Sequence, residues 1–184
     1  MTALPASKSP DPQFDNAVMS RLSWLGAHLV ASATATYGRL GLGFPEARIV
    51  FLLGRAGELN GVRISEALGV DRGGVSRALK SLTAAGLICR SGRYHRVRLT
   101  PEGVAIFSEV AGITAQREQL ILAGFSSKEQ TDLVGLLDRL LANFPQVARL
   151  GQADGEPLLP SAMPCEEVLN AERERRRGRD TREA

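Results

Sequence analysis

The sequence predicts a mainly α-helical fold that carries one small β-hairpin, and three observations lead there. Apolar residues recur at helical spacing in two long stretches, Val18, Leu22, Leu25 and Leu29 in one and Leu133, Leu136, Leu137, Leu140, Leu141 and Phe144 in the other. Between them, two short helical patterns meet at Gly69. Just after these, Val97 and Leu99 alternate with Arg96 and Arg98, the period of a strand with one buried face.

Residues 1–13, with Pro5, Ser7, Ser9, Pro10 and Pro12, read as a disordered lead without the apolar run of a secretory signal, so export is not expected. A long helix is expected over 14–40, broken by 41–45. Pro45 suits the first turn of a second helix, where its missing N–H would be unpaired anyway, and Ile49, Leu52 and Leu53 give that helix a buried side before it ends near 54–57. Residues 61–87 form a helix pair. Ile64, Leu68 and Val70 anchor the first helix, Gly69 supplies the positive φ of a tight turn, and Asp71 is placed to cap the second. Val75, Leu79 and Leu82 face inward there, while Arg72, Gly73, Ser76, Arg77, Lys80 and Thr83 face outward, and Gly86 ends the helix. Strands at 87–90 and 94–99 flank a turn at Ser91-Gly92. Thr100-Pro101-Glu102 combines a capping hydroxyl, a proline and an acid at the positive end of the dipole, and starts a helix that carries Val104, Phe107, Val110 and Ile113 to about 123. Ser126 and Glu129 read as a capping box for a last helix to about 147. Glycine and prolines then mark a linker and charged tail over 151–184, with a short helix at 165–177.

Composition narrows the function. In 184 residues, 43% hydrophobic, no apolar run approaches the roughly 18 residues of a membrane span. Two cysteines, Cys89 and Cys165, neither build a disulfide scaffold nor show metal-ligand spacing, and a reducing cytoplasm fits. No cofactor or metal is called for. Two histidines, no nucleophile–base spacing and no phosphate loop argue against an enzyme. The net charge is only +3, but its distribution is uneven. Between Asn60 and Thr100 stand Arg63, Arg72, Arg77, Lys80, Arg90, Arg93, Arg96 and Arg98, opposed by Glu66 and Asp71 alone, a surplus of six positive charges. Such a zone is the footprint of a phosphate-binding face.

Two short helices hinged at a glycine, the second with a basic outer face, form a helix-turn-helix, and the hairpin after them is a wing. The second helix can enter a DNA major groove about 12 Å wide. Gly73 and Gly74 let its start approach closely, at a cost in helix stability. Arg72, Ser76 and Arg77 are candidates for base edges, and Lys80 for phosphate. Arg90, Arg93, His95 and Arg96 would lie along the adjacent backbone or minor groove. A winged-helix module serving protein contacts is the competing class, and it would need no cationic face.

The stretch from Val62 to Ile88, with Arg90 and the following Arg98-Leu-Thr-Pro-Glu-Gly103, resembles the helix-turn-helix and wing of the MarR family. By element order the resemblance covers roughly residues 14–147. The long leading helix and the two long trailing helices favour this family over other winged-helix groups. It implies a winged helix-turn-helix domain over 14–150, with a DNA-binding lobe near 45–100 and dimerisation helices at 14–40 and 101–147. It also implies a homodimer on double-stranded DNA, acting as a repressor at near-palindromic operators. Leu22, Leu25, Val110, Leu133, Leu137, Leu140 and Phe144 would lie between subunits. A small-molecule effector could sit among Trp24, His28, Arg48, Phe51 and Phe107. Two departures stand out. Ser91-Gly92-Arg93 replaces the family's acid–arginine wing tip, and Ser65 stands where alanine is usual, its hydroxyl free to bond back to its own helix. Cys89, beside Arg90 in the wing, gives a second regulatory reading as a redox-sensing thiol.

Overall fold

The structure is a computed structural model that describes residues 17–91 and 95–149. The expected lead at 1–13, the tail at 151–184, Cys165 and the wing residues Gly92, Arg93 and Tyr94 lie outside the described residues. The chain divides into two compact units after Phe44.

In the first unit, α1 spans Val18–Tyr37 and closes in a 3-10 turn, Gly38–Leu40, with Gly41 at φ 70°. The expected helix to residue 40 therefore tightens at Gly38, where glycine weakens the α-helical preference. Ala33 and Tyr37 are buried, whereas Val18, Met19, Trp24, Leu25 and Val30 are exposed.

In the second unit, α2 (Phe44–Ala56) is followed by β1 (Glu58–Leu59), α3 (Gly61–Leu68), α4 (Arg72–Ala84), β2 (Ile88–Ser91), β3 (Arg96–Leu99), α5 (Pro101–Ile121) and α6 (Ser127–Arg149). Its core is built by Ile49, Val50, Leu52 and Leu53 of α2 with Leu59, Ile64 and Leu82, all buried. Burying a side chain of this size stabilises by about 1.5–3 kcal/mol, well above a surface ion pair, so this cluster holds the helices together.

The sheet has the order β1-β3-β2, all antiparallel. β1 is a third strand that the sequence does not announce, because two residues are too few to show alternation. Arg98 pairs with Glu58 on one side and Cys89 on the other. Val97 pairs with Leu59 and Arg90. Cross-strand partners share a face, so Val97 and Leu59 point into the core and Arg98 points away from it.

Thr100 caps α5 by accepting from the Gly103 N–H at 3.0 Å, while its own hydroxyl donates to the Gly86 carbonyl at 2.8 Å and its N–H to Leu87 at 3.0 Å. Gly103 is buried against this junction. A Cβ there would overlap the Leu87 carbonyl oxygen and press on Leu99. Along the same helix, Phe107 lies directly over Gly54 of α2. At the start of α6, Ser126 donates to the Glu129 carboxylate through its hydroxyl (2.7 Å) and its N–H (2.8 Å), which holds that carboxyl below its ordinary value. Pro145 lies inside α6, where it removes one intrahelical hydrogen bond. No helix among the described residues is long and apolar enough to cross a membrane.

Candidate nucleic-acid interface

The interface is built on α4. Val75, Ala78 and Leu82 are buried on one side, which turns Arg72, Ser76, Arg77 and Lys80 outward, all exposed. The Asp71 carboxylate accepts from the Gly74 N–H at 2.8 Å, so the first turn is capped. The two glycines have a local reason. A Cβ on Gly73 would stand 3.0 Å from Asp71 Oδ1 and 3.5 Å from Arg77 Nη1, and one on Gly74 would stand 3.0 Å from both Asp71 Oδ2 and Val70 Cγ1. The cap and the folded-back Arg77 guanidinium occupy the space that side chains would fill. Loss of the cap in Asp71→Ala should cost about 1 kcal/mol, read as a lower midpoint in denaturant unfolding.

The turn before α4 is held by side chains. Gly69 adopts φ 60° and its N–H returns to Ser65 O. The Ser65 hydroxyl, expected to bond back along its own helix, instead reaches forward and donates to Val70 O at 2.6 Å. The reason is geometric: the left-handed residue folds the chain back over the last turn of α3 and brings that carbonyl within reach.

On the wing, Arg90 and His95 are exposed, and His95 holds φ 49°, a left-handed backbone that histidine adopts more readily than most residues. Arg96 is placed differently from its neighbours. It is half-buried, donates Nη2 to the Glu58 carbonyl at 3.1 Å, and sets Nε 3.8 Å from the Glu58 carboxylate. It therefore ties β3 to β1 within the subunit instead of extending along the expected backbone line. Arg98, counted in the charge but not singled out as a contact, is exposed on the sheet's outer face. Among the described residues, Arg72, Arg77, Lys80 and Arg90 make no ion pair.

The effector candidates fall on both units. In the first unit, Trp24 and His28 stack with centroids 4.9 Å apart, and His28 Nδ1 lies 2.9 Å from the Trp24 carbonyl; both rings are exposed. In the second, Phe51 and Phe107 lie 6.1 Å apart at a tilt, with Arg55 5.9 Å above the Phe51 ring. Arg48 donates Nη2 to Leu68 O at 2.7 Å, a contact that ties α2 to the end of α3. That role was invisible in sequence, since the two residues are twenty apart. Cys89 is half-buried in β2.

Known proteins share this architecture. Residues 40–96 match the model of the MarR family. The chain is similar to a MarR/EmrR family transcriptional regulator from Acinetobacter sp. ADP1, with 26% identity, a TM-score of 0.68, and 72% of this chain and 98% of that chain covered. A MarR family regulator from Listeria monocytogenes, solved with 26-mer DNA, shares the fold at 16% identity and a TM-score of 0.69, covering 77% and 99%. The S. aureus MepR–DNA complex shares it at 17% identity and 0.65, covering 73% and 99%. The hinge at Gly69, the outward cations of α4 and the three-stranded wing, together with the match over residues 40–96, give the chain the winged helix-turn-helix fold of the MarR-family regulators it resembles.

Proposed function

We propose that the protein acts as a homodimeric, sequence-specific DNA-binding repressor that seats its two α4 helices in successive major grooves of a near-palindromic site, roughly 34 Å apart. The observation that carries this reading is the set of exposed cations on α4 and the wing that make no ion pair among the described residues, held by a capped and packed helix. Arg72, Ser76 and Arg77 read base edges, while Lys80 and Arg90 bind phosphate and position the complex. His95 and Arg93, at the wing, approach the neighbouring backbone or minor groove. Arg96 contributes from behind by keeping the wing against β1. The presence of DNA in the MepR and Listeria structures supports the same use of this fold here. The protein would act where the DNA is, in the cytoplasm, and without chemistry of its own.

Dimerisation is supported by α6. Leu133, Leu137, Leu140, Phe144 and Val147 recur at alternating spacings of four and three, a seam for a partner helix, and from Leu137 onward each is exposed in the single chain. Apolar exposure on this scale marks an association surface. A small-molecule effector that alters the spacing of the two lobes has narrower support, since Arg48 is engaged elsewhere and Phe51 with Phe107 form the remaining candidate contact in the second unit.

Arg77→Ala should weaken binding to the preferred duplex by about 1–3 kcal/mol and relax selectivity at one position. Lys80→Ala should weaken all duplexes alike. Titration of both variants against a selected and a random duplex checks the assignment, and full retention of selectivity by Arg77→Ala would remove it.

A further inference from the structure

We infer that Arg48 and Ser65 are positioning residues for α4, and that their two hydrogen bonds govern how selectively bases are read, not how strongly phosphates are held. The inference rests on the DNA-binding reading above. Its starting point is the three-residue turn between α3 and α4. A helix leaves its last carbonyls without partners in its own ladder, and a turn this short has few N–H groups to offer them. Arg48 reaches across from α2 and donates to Leu68 O, the last residue of α3, at 2.7 Å. A cation at that end also suits the helix dipole. Ser65, 2% exposed, donates to Val70 O at 2.6 Å. The resemblance in sequence leads one to expect alanine at 65, which would fill the space but leave that carbonyl unbonded.

The Val70 carbonyl belongs to the peptide that enters Asp71, the cap of α4. A small rotation of that peptide tilts the whole first turn, and with it Arg72, Ser76 and Arg77. Hydrogen bonds to a base edge tolerate only a few tenths of an ångström. Long side chains reaching a continuous line of phosphates tolerate far more. Loosening the clamp should therefore damage base reading first.

The test uses the full chain and a duplex recovered by the wild type from a random pool. Affinities for that duplex and for a random one are measured at several salt concentrations in Ser65→Ala, Arg48→Met and the conservative Arg48→Lys. Amide exchange over residues 72–78 is followed without DNA. We expect Ser65→Ala and Arg48→Met each to lower the selected-to-random affinity ratio about tenfold. Random-duplex affinity and its salt slope should hold, exchange at the start of α4 should quicken, and Arg48→Lys should keep most of the ratio. An unchanged ratio in the folded variants overturns the inference. So does an equal loss on both duplexes, which would mark Arg48 as a phosphate contact. If Ser65→Ala does not fold, the half-buried Arg48 carries the test alone. A wild type that binds no duplex overturns the DNA reading and the selectivity role together, while unchanged exchange overturns the clamp without touching the DNA reading.

Discussion

Gly103→Ala should lower the unfolding free energy by about 3 kcal/mol, the upper end of what overpacking costs. Gly103 sits in the first turn of α5, held there by Thr100, and the position of an added Cβ is occupied by the Leu87 carbonyl oxygen. That oxygen cannot swing aside as a side chain would. It accepts from Thr100 N at 3.0 Å and belongs to the segment that leads from α4 into the wing. The helix must therefore shift away from β2 and β3, loosening Leu99 and Val97 behind it. Urea unfolding should show a lower midpoint with an unchanged slope, and the melting temperature should fall on the order of 10 °C. Gly112→Ala and Gly135→Ala are the controls. Both positions are helical, and an added Cβ meets nothing within 4 Å. They should leave stability equal or slightly raised, since alanine favours a helix over glycine by roughly 0.5–1 kcal/mol. A Gly103→Ala protein as stable as wild type would mean that the α5–wing junction yields more readily than its geometry implies.

The second large effect is expected at the α6 seam. Leu137→Glu combined with Leu140→Glu should separate the dimer. Each side chain is a little over a third exposed in the single chain, 38% and 37%, so the folded subunit can carry the charges. Between two subunits the same charges would be buried unpaired. At about 2 kcal/mol for each substituted position, counted over both subunits, the dissociation constant should rise about a thousandfold. Sedimentation equilibrium reads this directly, and thermal unfolding extrapolated to low concentration separates it from misfolding. Operator affinity should fall with it, because one subunit reads only one half-site. A double variant that still sediments as a dimer would place the interface elsewhere.

Much of this architecture was legible because its signals are local. Periodicity marked the helices, Thr100-Pro101 and Ser126 with Glu129 marked helix starts, and Gly69-Val70-Asp71 marked the hinge and cap. Each of these acts within five residues. What stayed hidden joins distant parts of the chain. β1 exists only because Glu58 and Leu59 find β3, some forty residues later. The same long reach turned Arg48 toward Leu68 and Arg96 toward Glu58, and neither engagement could be read from a list of basic residues. Charge identified the cationic zone correctly as a zone. It could not say which cations remain outward, because that depends on whether a carbonyl or carboxylate stands nearby in the folded chain. Gly73 and Gly74 were legible as an oddity of helix design, and the bulk of the Asp71 cap supplies part of their reason.

The central claim is most directly tested by how wild-type affinity for its selected duplex varies with salt. Phosphate neutralisation by two subunits, each offering Lys80 and Arg90, should release about four counterions and cost roughly a hundredfold in affinity between 50 and 200 mM salt. A flat response, or no binding at the lowest salt, would contradict the account.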